Sequence, residues 1–182
     1  MFAVSTRFNR SLFAAVVAAL AALAIALPAT AAARCHGARD NPSHSSLRRA
    51  VHATLCLLNK RRREHGLGRL HENHDLDVAA GGHARDMAAH NYFAHGDFIG
   101  RIRGSNYLSG AQSWSVGENI AWGSWHYATP KAIVYAWMHS PGHRANILNG
   151  GFSEIGIGVA RGAPVGGVGD GATYVTDFGR RG

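Results

Sequence analysis

The chain has 182 residues, 46% of them hydrophobic and 16% charged, with a formal charge of +8 at pH 7. This is about one domain's length with enough apolar residues for a real core, and no internal repeat or disordered tail is legible. A basic balance suits nucleic acid, anionic lipid or acidic wall polymer, but the basic residues are scattered, which argues against a nucleic-acid surface.

The first segment reads as a leader. Arg7 and Arg10 precede an apolar run, Leu12 to Leu27, and small residues follow to Ala33. That is the layout of a secretory signal peptide over residues 1–33, with Ala-x-Ala patterns ending at Ala31 and Ala33. The run is about 16 residues, short of the roughly 20 that a spanning helix needs. No later stretch is apolar enough to span, so a secreted or periplasmic domain over residues 34–182 is expected, without a membrane span once the leader is removed. Export places Cys35 and Cys56 in an oxidising compartment, where a disulfide between them is favoured. The bridge would close a loop of roughly 20 residues and stabilise the fold by about 3 kcal/mol. A zinc pair is the weaker reading, because no second cysteine pair completes a site.

Residues 34–43 read as irregular. A first helix is expected from Ser45 or Ser46, either of which can cap it, to a stop at Gly66. Its apolar stripe is Leu47, Val51, Leu55 and Leu58. The basic run Lys60 to Arg63 reads as the solvated end of that helix, where positive charge complements the dipole. A second helix is expected from Asn73 or Asp75 to Asn91, weakened by Gly81 and Gly82 unless a strand or helix packs close there. Tyr92 to Ser113 reads as a long loop carrying Phe93, His95, Arg101, Arg103 and Tyr107. Ser115 to Gly123 reads as a strand. Thr129 caps a third helix over Pro130 to His139. Pro141 and Gly142 interrupt it, so His143 is presented just past a break, before a short helical stretch from Arg144 to Leu148. Glu154 to Ala160 and Thr173 to Gly179 read as two strands of a hairpin around a glycine-rich turn. The turn lacks the Gly-Lys-Ser/Thr ending of a phosphate loop. Helices first, then mixed helix and strand, is an α+β order.

Among twelve histidines, His143 stands out because it lies at a junction of predicted elements, and His95 and the Gly117-Glu118-Asn119 triplet read as its partners. Neutral imidazole binds zinc well, and a catalytic-type site needs three protein ligands and an open position. His95, His143 and Glu118 can supply three; two histidines alone make a weak, exchangeable site. Glu118 can instead orient an imidazole through its ring N–H. The plainer reading is a histidine pair that packs a cleft floor. His139 and His143 have i, i+4 spacing, but the Pro-Gly break and the lack of a glutamate after His139 exclude a metalloprotease helix. Ser140 beside His143 suggests a nucleophile, yet no orienting acid is legible. Trp122 and Trp125 flank a loop and are candidates for sugar or lipid contact.

The motifs AHG (94–96), GENIA (117–121), AWMHSPGHRANIL (136–148) and EIGIGVA (154–160) carry a resemblance. They are similar to the CAP superfamily of cysteine-rich secretory, antigen 5 and pathogenesis-related-1 proteins, in particular to its bacterial SCP-domain branch. Asn59, Arg62 and Leu67 to Leu70 also resemble that family's opening, and the likeness runs from about Leu55 to Phe178. The resemblance implies an α-β-α sandwich, with a small antiparallel sheet flanked by helices, and a central cleft. Two histidines and two acids line the family's cleft, and the histidines can take a divalent metal. The matching positions are His95, Glu118 and His143; the fourth falls at Ser140, where animal and plant members carry glutamate. The leading functional expectation is a monomeric extracytoplasmic binding module for lipid, cell-wall polymer or protein, its His95/His143 pair holding zinc or another divalent ion weakly. The alternative is a metal-assisted hydrolase in the same cleft, with Glu118 as catalytic base.

Overall fold

The structure, a computed structural model, describes residues 34–182; the expected signal peptide lies outside the described residues. Helix α1 (Leu47–Glu64) starts where Ser46 turns extended and its hydroxyl accepts from the Arg49 N–H. A two-residue strand β1 (His71–Glu72) leads into α2 (His74–His90), capped by the Asn73 side chain. Asn91 ends α2 in the left-handed conformation, with its N–H on the Met87 carbonyl. The segment expected as loop contains a short helix, α3 (Phe98–Gly104), started by the Asp97 carboxylate accepting from Gly100 N–H. Strand β2 (Trp114–Ser124) and a 3-10 turn (Trp125–Ala128) follow. Helix α4 (Pro130–Met138) is capped by Thr129, and α5 (Pro141–Ile147) begins at the proline itself, so His143 sits inside the first turn of α5 rather than ahead of it. Strands β3 (Glu154–Arg161) and β4 (Gly171–Arg181) complete the chain.

The sheet has the order β1-β3-β4-β2. β3, β4 and β2 are antiparallel neighbours, and β1 adds a parallel step beside Glu154 and Ile155, so the sheet is mixed. One face carries Ile155, Ile157, Val159, Tyr174 and Phe178 against α1, α4 and α5. The other carries Ile120, Val175 and Ala160 against Ala80, Ala84 and Met87 of α2. Tyr107 and Ile102, from α3 and the turns after it, extend that second core. The α-β-α sandwich follows from this alternation, since β2, β3 and β4 bury residues on both faces. Two polar anchors fix the α4 side: Trp137 Nε1 donates to the Ile120 carbonyl at 3.1 Å and Tyr174 OH donates to that of Ala128 at 2.8 Å.

The close approach between α2 and the sheet comes from the strand. A Cβ on Gly156 would lie 2.0 Å from the Leu76 carbonyl carbon, and one on Gly158 would lie 2.2 Å from the Ala80 oxygen. Gly82, by contrast, has no atom within 4 Å of a Cβ position. The glycines of the helix therefore do not make the contact; those of β3 do. The Cys35–Cys56 disulfide, with a Cα–Cα distance of 5.6 Å, ties the N-terminal segment to α1.

The basic run at the end of α1 differs from its expected role. Arg62 is 1% exposed. Its guanidinium donates to the carbonyls of Gly68 (2.7 Å), Ile147 (2.9 Å), Asn149 (2.8 Å) and Phe152 (3.0 Å). Asn59, one turn earlier on the same face, exchanges two hydrogen bonds with the Leu70 backbone. A planar fork of donors can satisfy several loop carbonyls at once, which the compact Lys ammonium cannot match in geometry. Arg62 thereby closes the turn after α1 and the segment joining α5 to β3. Arg62→Ala, which strands four carbonyl acceptors, should lower stability by about 3 kcal/mol or more in urea unfolding. A loss below about 1 kcal/mol would mean that water replaces the guanidinium without cost.

Candidate functional site

β2 is the edge strand on the side away from β1, and the two layers of helices meet over it. Successive residues point to opposite faces. Glu118 faces the α2 layer, as its cross-strand partner Asp177 and Gly156 beyond do, while Asn119 faces the α5 layer. These two adjacent residues hold the two histidines.

On the first face, the Glu118 side chain is 1% exposed and both its oxygens are used. Oε1 accepts from His95 Nδ1 at 2.7 Å, and Oε2 accepts from the Arg101 guanidinium at 2.7 Å. The same Arg101 nitrogen donates to the His95 carbonyl at 2.7 Å. A carboxylate can only accept, so Nδ1 carries the proton and the Nε2 edge of the half-exposed His95 ring is free to bind. Behind the His95 loop, buried His83 bonds the Ala94 carbonyl through Nε2 at 2.9 Å. Burial, and then the Arg101 charge, hold His83 below the ordinary imidazole range, so Nε2–H donates and the ring stays neutral near pH 7.

On the second face, Asn119 Nδ2 donates to the His143 carbonyl at 3.1 Å. Asn146 returns from α5 to the Glu118 carbonyl (3.1 Å) and to Asn119 Oδ1 (2.9 Å). Gly117 leaves room for this: a Cβ there would press on Asn146 Oδ1 and Phe152 at 3.1 Å. His143 is half-buried, and its pKa is lowered by burial and then by the charge of nearby His95. The structure thus brings His95, Glu118 and His143 to one place. Ser140 caps the start of α5 through its backbone and makes no side-chain cap hydrogen bond. His139 is turned away, bonding the Tyr135 carbonyl through Nδ1. Glu154 belongs to the frame, accepting from Asn73 and Tyr107.

The three expected ligands do not form a metal cage. Among the described residues, no group of three or more His, Cys, Asp or Glu side chains is arranged to hold a metal ion. The reason is local: Glu118 is saturated by His95 and Arg101. Glu118 instead orients the His95 ring through Nδ1.

Two residues beside Glu118 have no site role in the sequence reading. Arg101 comes from a helix that reads as loop. Asp177 is fully buried on β4 directly opposite Glu118, and neither of its oxygens finds a donor among the described residues. Two buried carboxylates side by side cannot both ionise cheaply. Burial, and then the Glu118 charge, push Asp177 well above the usual carboxylate range, with Arg101 opposing. The Asp177 carboxyl is thus shifted toward its neutral form by burial and by the acid beside it.

A folded-state pKa raised above the unfolded one makes wild-type stability greatest below the unfolded value near 4 and erodes it as pH rises toward the folded value. Asp177→Asn keeps a donor and removes that erosion. Its urea midpoint should match wild type near pH 3.5 and equal or exceed it near pH 7.5. A variant clearly less stable than wild type near pH 7.5 would show instead that Asp177 is ionised and paired.

Comparison with known proteins places this geometry. Residues 55–176 match the CAP profile, the cysteine-rich secretory protein family. Over 103 residues the chain is 39% identical to YkwD, an uncharacterised protein of Bacillus subtilis (strain 168), covering 56% of this chain and 39% of that one. YlbC, an uncharacterised membrane protein of the same organism, is 34% identical over 108 residues, covering 59% and 30%. The chain thus spans less than half the length of these curated relatives. An extracellular SCP-domain protein from Bacillus anthracis str. Ames superposes with a TM-score of 0.56 at 30% identity, over 71% of this chain and 39% of that one. An outer surface protein of Borrelia burgdorferi gives 0.56 at 21% identity, over 69% and 88%, a likeness of fold alone.

Proposed function

This chain belongs to the cysteine-rich secretory protein family, CAP, and on that premise we propose that it is an extracytoplasmic binding module whose cleft engages its ligand through His95 and His143. The observation that carries this reading is the saturation of Glu118. A general base must reach the proton it abstracts, and a carboxylate that is 1% exposed with both oxygens taken does not reach a substrate or its water. What the cleft offers is recognition: a free imidazole edge on His95 and a neutral imidazole on His143. Both suit hydrogen bonding to a lipid headgroup, a wall polymer or a protein side chain.

The leader-like N-terminus supports a secreted or periplasmic location, as does the extracellular Bacillus anthracis relative. No described helix is long and apolar enough to cross a membrane. The imidazole pair also suits weak capture of zinc or another divalent ion, which would act there as a Lewis acid. With only two imidazoles, affinity should fall well short of a three-ligand site. The alternative of metal-assisted hydrolysis requires Glu118 to be released from both His95 and Arg101.

Calorimetric titration with zinc near pH 7.5, on the wild type and on His95→Ala/His143→Ala, tests the reading. Weak binding that the double variant abolishes, without hydrolysis of ester or peptide substrates, is the expected result. Tight stoichiometric zinc with metal-dependent turnover would overturn it in favour of the hydrolase.

A further inference from the structure

The turn between β2 and α4 carries a feature that the cleft does not use. Trp125 is 65% exposed and Tyr127 is similarly open, two bulky rings on one short turn. Trp125 also has φ +52°, in the left-handed region where glycine is favoured and a bulky side chain is an outlier. Asp170, at the base of the β3–β4 turn, shares that conformation with φ +51°.

These two backbones are clasped together. Trp125 N–H donates to the Asp170 carbonyl at 3.1 Å. Asn41 Nδ2 then donates to both carbonyls, of Trp125 at 2.9 Å and of Asp170 at 3.1 Å. His44 holds the Asp170 carboxylate at 2.8 Å, and Arg161 ties the same N-terminal segment down through the Pro42 and Ser45 carbonyls. Gly123 admits the turn, because a Cβ there would lie 2.3 Å from the Tyr127 oxygen. Every one of these bonds to residue 125 uses its backbone. The fold needs the left-handed conformation at 125 but does not need an indole, and glycine would meet that need with less strain. An outlier of this kind, held by its surroundings at an exposed position, points to a use outside folding.

We propose that the Trp125–Ala128 turn is a second binding site, independent of the cleft, where Trp125 and Tyr127 stack against the C–H faces of a β-1,4-linked glycan. Pyranose rings with equatorial substituents present flat aliphatic faces that suit a fixed aromatic plane, and their hydroxyls need polar partners at its edge. The clasp fixes the backbone that carries the Trp125 ring. The Asp170 carboxylate with His44, and the His126 ring tilted against Tyr127 at 3.9 Å between centroids, supply the polar edge. A lipid surface fits less well, since the Asp170 carboxylate, whose backbone is clasped to that of Trp125, would have to be desolvated against headgroups.

Calorimetry with chitohexaose and cellohexaose on the intact chain, compared with Trp125→Gly and Trp125→Phe, tests the proposal. Wild type should bind at least one of the two sugars. Trp125→Gly should weaken that binding by about tenfold or more while keeping or raising the thermal midpoint, and Trp125→Phe should bind nearly as wild type. The proposal is overturned if wild type binds neither sugar, if Trp125→Gly binds as wild type does, or if Trp125→Gly melts several degrees lower, which would make the indole structural. Binding to anionic phospholipid vesicles that Trp125→Gly abolishes, with no sugar bound, would replace the glycan by a membrane surface.

Discussion

The site depends on one carboxylate held in a dry place. Glu118 lies on the edge strand with 1% of its side chain exposed, and burial of that kind is tolerable only with full pairing. His95 takes one oxygen and Arg101 the other, while Asp177, its carboxyl pushed up by burial and by the Glu118 charge, lies opposite on β4. These partners come from different segments: the loop after α2, helix α3 and strand β4. The carboxylate therefore does more than carry charge. It gathers three parts of the chain and sets the plane and tautomer of the His95 ring.

The neighbouring residue extends the same logic to the opposite layer. A strand sends Glu118 and Asn119 to opposite faces, so adjacent residues of one edge strand reach the His95 loop on one side and α5 on the other. Asn119 and Asn146 lock the first turn of α5, and with it His143, to β2. Further from the cleft, Gly156 and Gly158 let α2 settle onto β3, and Arg62 ties the loop after α5 to the end of α1. The His95 ring is thus placed by the Glu118 carboxylate on one layer, and the His143 backbone by Asn119 on the other.

The order of elements was largely legible, because it rests on local chemistry. Ser46, Asn73 and Thr129 cap helices where a capping side chain precedes an apolar stripe, and Pro141 marks the break before α5. His95, Glu118 and His143 were legible as a group through the motifs around them. Roles set by tertiary contact were not. Arg62 sits in a basic run that looks like a solvated helix end, and its burial comes from loop carbonyls distant in sequence. Arg101 lay in a segment too short and glycine-rich to read as a helix. Asp177 sits in a strand whose pattern gave no sign that it faces another acid. The parallel pairing of β1 depends on two residues, fewer than any periodicity can reveal.

The central claim is that Glu118 orients His95 and leaves its Nε2 edge for a ligand. Long-range proton–nitrogen NMR of the histidine rings near pH 8, where neutral imidazole dominates, reads the tautomer directly. The account predicts that His95 carries its proton on Nδ1 in the wild type and loses that preference in Glu118→Ala. A wild-type His95 with the proton on Nε2, or a tautomer indifferent to Glu118, would contradict it.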